Sequence, residues 1–260
     1  MRNLYINILL FAAVLFSGNA LAQNAHFVEH GTIEFEKRSN MYAIIKKKIN
    51  KDNETYYLPA FDQYKKTNPQ FKVSKSTLSF NRNKSIYKWQ PTDEAAGNTW
   101  LSRDAFADLR NTILTDFDSN TSLSQKNVYE ELYLVKDSLR KINWKITDET
   151  REIAGYDCRR ANALIMDSIY VVAYFTNQIE VSGGPESFTG LPGMILGLAL
   201  PHENMTWFAT KVTETTVPEK DFLPPTKGKS TTNKGLSAII TAALKDWGPE
   251  GLSEVKVYMF

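Results

Sequence analysis

The chain has 260 residues, with 31 Lys and Arg against 29 Asp and Glu, a single Cys and 42% hydrophobic content. That length supports one well-packed core, or at most two, and one Cys excludes both an intramolecular disulfide framework and a thiolate zinc cluster. A formal charge of +2 with dispersed basic residues argues against a dedicated nucleic-acid binder.

The N-terminus carries the most specific local pattern. Arg2 is followed by an apolar run over residues 8–16 and by Ala20-Leu21-Ala22 before Gln23, which is the pattern of a secretory signal peptide with cleavage between Ala22 and Gln23. Asn7, Ser17, Gly18 and Asn19 interrupt the run, leaving it short for a membrane span of ~20 residues. No later segment reaches that length without charges. The expected product is one β-rich domain over residues 23–260, periplasmic or secreted, with no transmembrane segment.

Ile33 and Phe35 share one face of a strand at residues 32–35. Met41, Ile44, Ile45 and Ile49 then follow helical spacing with Lys46, Lys47 and Lys48 among them, which predicts a short amphipathic helix with a solvated lysine face. Tyr56, Tyr57, Phe61 and Tyr64 form an aromatic cluster expected in the core. After Phe71 the period falls to two: Leu78 and Phe80 alternate with Thr77 and Ser79, residues 81–84 are turn-like, and Ile86, Tyr87 and Trp89 resume a strand, so a hairpin is expected. Residues 91–98 read as a polar loop. Strands are expected at 113–117 and 128–135 around the Asp118-Ser119-Asn120 turn, with 105–114 the one stretch where a helix competes.

Trp144, Ile146, Ile153, the Ala154-Gly155 turn, Cys158 and residues 161–166 and 169–175 predict a meander of antiparallel strands. Gly183, Gly184, Pro185, Gly190, Pro192 and Gly193 then crowd into one loop that needs special backbone angles, before an apolar stretch at 194–200 and a strand at 207–212. Residues 218–235 read as a polar linker. Residues 236–260 read as a short C-terminal helix, stopped by Gly248 and Pro249, and a tail. The expected fold is mostly β (α+β), a single curved antiparallel sheet or half-barrel with a few helices.

Reactive chemistry finds little support. Cys158 and His202 are not brought together by spacing, and Cys158 in strand phase reads as a small packed hydrophobe. The Ser85…Lys88 and Ser253…Lys256 pairs match a serine–lysine spacing but fall in strand-like contexts, where residues three apart face opposite sides. His26 and His30 lack a helical setting for metal binding. Glu180 and Glu186 flank the Gly/Pro loop without a spacing that fixes their separation. No phosphate or dinucleotide fingerprint occurs. No catalytic, metal or cofactor-binding residues are assigned, and the expectation is a non-enzymatic protein taking an apolar or peptide ligand in the concavity of its sheet, or else docking on an outer-membrane complex through an exposed patch, with a hydrolase using Cys158 or a carboxylate pair as the third and least favoured reading.

The segment from Gly184 and Pro185 through Gly190, Leu191, Pro192, Gly193, Met194 and Ile195 resembles the signature of the GLPGLI family, exported proteins of Bacteroidetes-type bacteria. Trp144, Ile153-Ala154-Gly155-Tyr156, Cys158, Ala161 and Val172-Ala173-Tyr174 follow the order that family shows. Met194 replaces the Leu of the name, which conserves apolar bulk. The resemblance implies a periplasmic or secreted protein of undefined biochemical role, and a sheet similar to the open half-barrel of periplasmic lipoprotein carriers. The motif itself is expected to be structural, since Gly and Pro supply backbone shape and almost no side-chain chemistry.

Overall fold

The computed structural model describes residues 27–91 and 99–260. The expected signal peptide, His26 and most of the polar loop at 91–98 lie outside the described residues. The protein is mostly β, one open twelve-stranded sheet in the order β12-β6-β5-β4-β3-β2-β1-β11-β10-β9-β8-β7. The first half comprises β1 (Gly31–Asn40), β2 (Phe71–Phe80), β3 (Lys84–Gln90), β4 (Thr112–Asp116), β5 (Thr121–Val128) and β6 (Glu131–Ser138). The second half comprises β7 (Lys145–Ile153), β8 (Tyr156–Ile165), β9 (Ile169–Thr176), β10 (Met194–Leu200), β11 (Met205–Glu214) and β12 (Lys229–Thr231). Every neighbouring pair is antiparallel except β12, which runs parallel to β6.

Period-two patterning builds this sheet. In β1 the residues Ile33, Phe35, Lys37 and Ser39 are all buried while Glu34 and Arg38 are exposed and Thr32 and Glu36 half-buried, because successive side chains of a strand point to opposite faces. The same inner face continues through Leu78 and Phe80 of β2, Tyr87 of β3, Ile113 of β4 and Trp207 of β11. The outermost strand β7 is largely exposed and reads KITDETREI, a charged edge of the kind that resists pairing with a second sheet.

Four helices complete the described fold: α1 (Met41–Lys48), α2 (Glu54–Thr67), α3 (Asn233–Ala243) and α4 (Gly248–Val257). Asn40 caps α1 by accepting from the Ala43 backbone N–H at 3.2 Å, a standard means of satisfying the first turn. No helix among the described residues is long and apolar enough to cross a membrane.

The structure corrects several expectations. Residues 128–135 are not one strand: β5 ends at Val128 and Tyr129 adopts φ +53° in the turn to β6. Residues 105–108 form a turn, and irregular backbone at 109–111 leads into β4. The supposed linker at 218–235 holds a 3₁₀ turn (Glu219–Phe222) that buries Phe222, and then edge strand β12. Gly248 and Pro249 start α4 rather than ending a helix, since proline is tolerated in a first turn where its missing N–H is not needed. Of the aromatic cluster on α2, Phe61 and Tyr64 are core but Tyr56 is 60% exposed.

Candidate functional site

The Gly/Pro loop between β9 and β10 is pinned at several points. The Trp144 indole N–H donates to Thr189 O at 2.9 Å, the Gly190 N–H donates to Ser182 Oγ at 2.9 Å, and the Ile195 N–H donates to Gly183 O at 2.8 Å. Gly193 adopts φ +142°, and a Cβ there would lie 2.1 Å from Thr176 O; only glycine fits that approach. Pro185, Leu191, Met194 and Ile195 are buried, Gly184 packs against Ile195, and Pro192 is exposed. Apart from Pro192 and Gly190, the motif residues face the protein interior.

What the loop carries inward is Glu186, buried and in the left-handed region at φ +53°. Its carboxylate accepts from Tyr87 Oη at 3.2 Å and from Asn111 Nδ2 at 2.8 Å. Two buried lysines share this interior. Lys37 Nζ donates to Phe106 O and Ala107 O and stands 5.0 Å from the Trp207 ring centroid. Lys126 Nζ donates to Tyr258 O at 3.0 Å and to Phe260 O. The β4–β5 register pairs Thr112 with Gln125, so the next pair along the two chains is Asn111 and Lys126, both buried.

Burial governs the electrostatics. It lowers Lys37 to about 8 and Lys126 to about 7, with the Glu186 charge pulling each the other way; desolvation disfavours the charged amine and a nearby carboxylate favours it. Asp104 and Asp108 add to the Glu186 effect on Lys37, and Arg140 opposes it on Lys126. Burial, followed by the Glu186 charge, pushes the Tyr87 hydroxyl well above the usual phenol range. The result is a polar seam across the inner face, in which the Glu186 charge favours the protonated form of both lysines against burial.

A separate cleft of about 700 Å³ opens beside α1 and α4. Ile44, Phe106, Ile169, Met205 and Val257 contribute apolar surface. Its charged lining includes the pairs Lys47–Glu203 at 3.5 Å and Lys48–Asp104 at 2.7 Å. Tyr57 and Trp247 also line it; Trp247 is 60% exposed, and Tyr57 meets exposed Trp100 edge-on at 4.7 Å.

The sequence candidates for reaction chemistry stand apart. Cys158 is fully buried, donates to Tyr156 O at 3.5 Å, and has its thiol pushed up to about 12, mainly by burial and then by Asp157. His202 is exposed on a 3₁₀ turn and lines the cleft, its ring 6.3 Å from that of Tyr170. Glu180 is exposed while Glu186 is buried. Ser85 is buried and Lys88 points its Nζ to Asp221 O at the surface, so that pair is split across β3. Ser253 and Lys256 lie on α4, not a strand, and Lys256 Nζ donates to Ser168 Oγ at 2.5 Å. Among the described residues no group of three or more His, Cys, Asp and Glu is placed to hold a metal ion.

Sequence reasoning missed Lys37, Tyr87, Asn111 and Lys126 as a group. The available signal was phase: Lys37 follows Ile33 and Phe35 at the buried period, and Lys126 falls between Ser124 and Val128 in the same way.

Residues 112–233, from β4 to the start of α3, match the family described as N-glycanase peptide, N-terminal domain. The chain is similar to a solved structure of PNGF-II in a C2 crystal form, at 14% identity with a TM-score of 0.50, covering 85% of this chain and 33% of that one. A P21 form of PNGF-II gives 16% identity and a TM-score of 0.48 with the same coverages. The chain thus spans about a third of the length of these structures, and at such identity the likeness concerns the fold. Among curated proteins none matches this sequence.

Proposed function

We propose that the protein is an exported cell-envelope binding module without a reaction of its own, which holds a peptide ligand in the cleft between α1 and α4. The observation that carries this reading is the cleft itself: apolar surface from Ile44, Ile169 and Met205 beside internally paired charges and the exposed rings of Trp247 and Trp100. Such a surface combines aromatic anchors with polar groups that fix orientation. The signal-peptide pattern at residues 1–22 and the GLPGLI resemblance of residues 184–196 support export. The inner face of the sheet is filled by core side chains and the Gly/Pro loop, which favours the cleft over the concavity as the ligand site.

Titration of a random peptide library on the immobilised full chain tests this. Enrichment of a peptide class that is lost at least tenfold in Tyr57→Ala and Trp247→Ala, with unfolding midpoints unchanged, is the expected result. No enrichment on the unsubstituted chain, or enrichment equal in both variants, overturns it. A second reading, docking on an outer-membrane complex, is favoured by the exposed Tyr56, Leu58 and Trp100 beside the cleft; crosslinking at Trp100 in intact cells giving one dominant membrane partner would replace the carrier role.

A further inference from the structure

Three buried side chains of matched chemistry meet on the inner face of the sheet. Asn111 extends β4 by one position, because its carbonyl accepts from the Trp89 N–H at 3.1 Å in continuation of the β3–β4 ladder. The β4–β5 register pairs Thr112 with Gln125 and so sets Asn111 opposite Lys126. Both are buried, as are Ile113 and Ser124, the next pair on the same face. Directly opposed residues have Cβ atoms about 4.5–5.5 Å apart, a gap that the flexible four-carbon stem of a lysine spans. The third member arrives on the Gly/Pro loop. Glu186 Oε2 accepts from Asn111 Nδ2 at 2.8 Å, and of the charges that act on Lys126 that of Glu186 is the largest influence.

An amine, a primary carboxamide and a carboxyl group shut away from water are the parts of an amide-forming reaction. Attack on the carboxamide needs the neutral amine, and burial lowers Lys126 to about 7, so a substantial fraction is unprotonated at neutral pH. The departing nitrogen needs an acid to protonate it, and Glu186 is already bonded to that nitrogen. Tyr87 Oη, donating at 3.2 Å to the other carboxylate oxygen, holds Glu186 in place. The loop holds it too, at φ +53°, and strained non-glycine backbone of this kind clusters where chemistry is done.

We propose that Lys126 and Asn111 join in an intramolecular isopeptide bond, formed by the folded chain itself with Glu186 as catalytic acid and base. Lys126 Nζ turns from the Tyr258 and Phe260 carbonyls on which it rests and gives one proton to the Glu186 carboxylate. Its lone pair then attacks Asn111 Cγ to form the Nζ–Cγ bond. The Cγ–Nδ2 bond breaks as Nδ2 takes the proton from Glu186 and leaves as ammonia, and the attacking nitrogen returns a second proton to Glu186. No oxidant or outside reactant is consumed. The reaction runs once per chain and on no external substrate, so it stands apart from the binding role of the cleft. Its product staples β4 to β5 beside the Gly/Pro loop. A bonded Lys126 no longer titrates, so its pH response belongs to the unreacted chain, whereas Lys37 keeps its own.

Mass spectrometry of the full chain decides. Bond formation removes ammonia, about 17 Da. Cyclisation of a new N-terminal Gln23 would remove the same mass, so the loss is located by digestion with a protease that cleaves before Asp. Cuts at Asp108, Asp116, Asp118 and Asp137 separate residues 108–115 from residues 118–136. The expected result is one branched species containing both peptides, about 17 Da lighter than their sum. Recovery of the two as separate linear peptides from the folded, unsubstituted protein overturns the proposal, and that outcome depends on no variant. Glu186→Gln, shown to be folded by a cooperative unfolding transition, is expected to give at least tenfold less of the branched species. Equal branching in that variant overturns the catalytic role of Glu186.

Discussion

Asn111 Nδ2 donates to Glu186 Oε2 at 2.8 Å, joining the residue just before β4 to the centre of the Gly/Pro loop across 75 positions of chain. Asn111 is 1% exposed and Glu186 is 3% exposed. A contact of this kind, between a buried carboxylate and a neutral donor, is stronger than a neutral hydrogen bond, and it ties a loop without regular structure to the sheet beneath it.

Glu186→Gln keeps the shape of the side chain and removes its charge. Lys37 and Lys126 then lose the charge that favours their protonated forms, and the charge-assisted bonds from Tyr87 and Asn111 are weakened or mismatched, a loss of about 3 kcal/mol for hydrogen bonds to a buried charged group. Urea unfolding monitored by tryptophan fluorescence is expected to show a loss of that size. A change below about 1 kcal/mol would mean that the seam is solvated.

Stability should rise with pH over the range where the two lysines titrate. Each folded-state value lies below the ordinary 10.5, at about 8 for Lys37 and about 7 for Lys126. Between those values and 10.5 the unfolded chain binds more protons than the folded one, so the slope of unfolding free energy against pH is positive there. The stabilisation is complete above the unfolded value and is lost as pH falls through about 7. Lys126→Met is expected to flatten the profile between pH 7 and 10, measured by denaturant unfolding at fixed ionic strength.

Two glycines with positive φ separate space from strain. Gly193→Ala must push a Cβ toward Thr176 O from a position 2.1 Å away, and a loss of about 3 kcal/mol is expected. Gly155, at φ +83°, has nothing within 4 Å of such a Cβ, so Gly155→Ala should cost only about 1 kcal/mol of backbone strain. Thermal unfolding of the two variants side by side checks the order.

The Cys158 thiol should be inert in the folded protein. Burial and the neighbouring Asp157 hold it at about 12, so little thiolate exists at pH 8. Iodoacetamide at that pH is expected to label the chain only after denaturant is added, with intact mass as the readout. Rapid labelling of the native protein would overturn this assignment.

Much of the sheet could be read from alternation. Leu78, Phe80 and Tyr87 announced the β2–β3 hairpin, and Ile153, Cys158, Ala161 and Phe175 announced the β7–β9 meander, because burial on one face imposes period two on the side chains. The reading lost its way where chemistry and geometry disagreed. Tyr129 turns the chain at positive φ without the glycine or asparagine that usually marks such a bend. The stretch 229–231 is polar because it is an exposed edge, so no apolar alternation revealed β12. Lys37 and Lys126 occupy core positions in strands but carry charge, and a pattern of apolar residues cannot show that a carboxylate from another loop waits to meet them. The Gly/Pro motif was visible, whereas its cargo, Glu186, read as an ordinary surface acid.

The strand order also sets the timetable of folding. β1 lies between β2 and β11, and its residue Phe35 is paired with Ala209. β1 therefore waits for β11, far along the chain, before its second edge is closed. Topologies dominated by such distant pairings fold slowly, and until β11 arrives one flank of β1 stays open to mispairing.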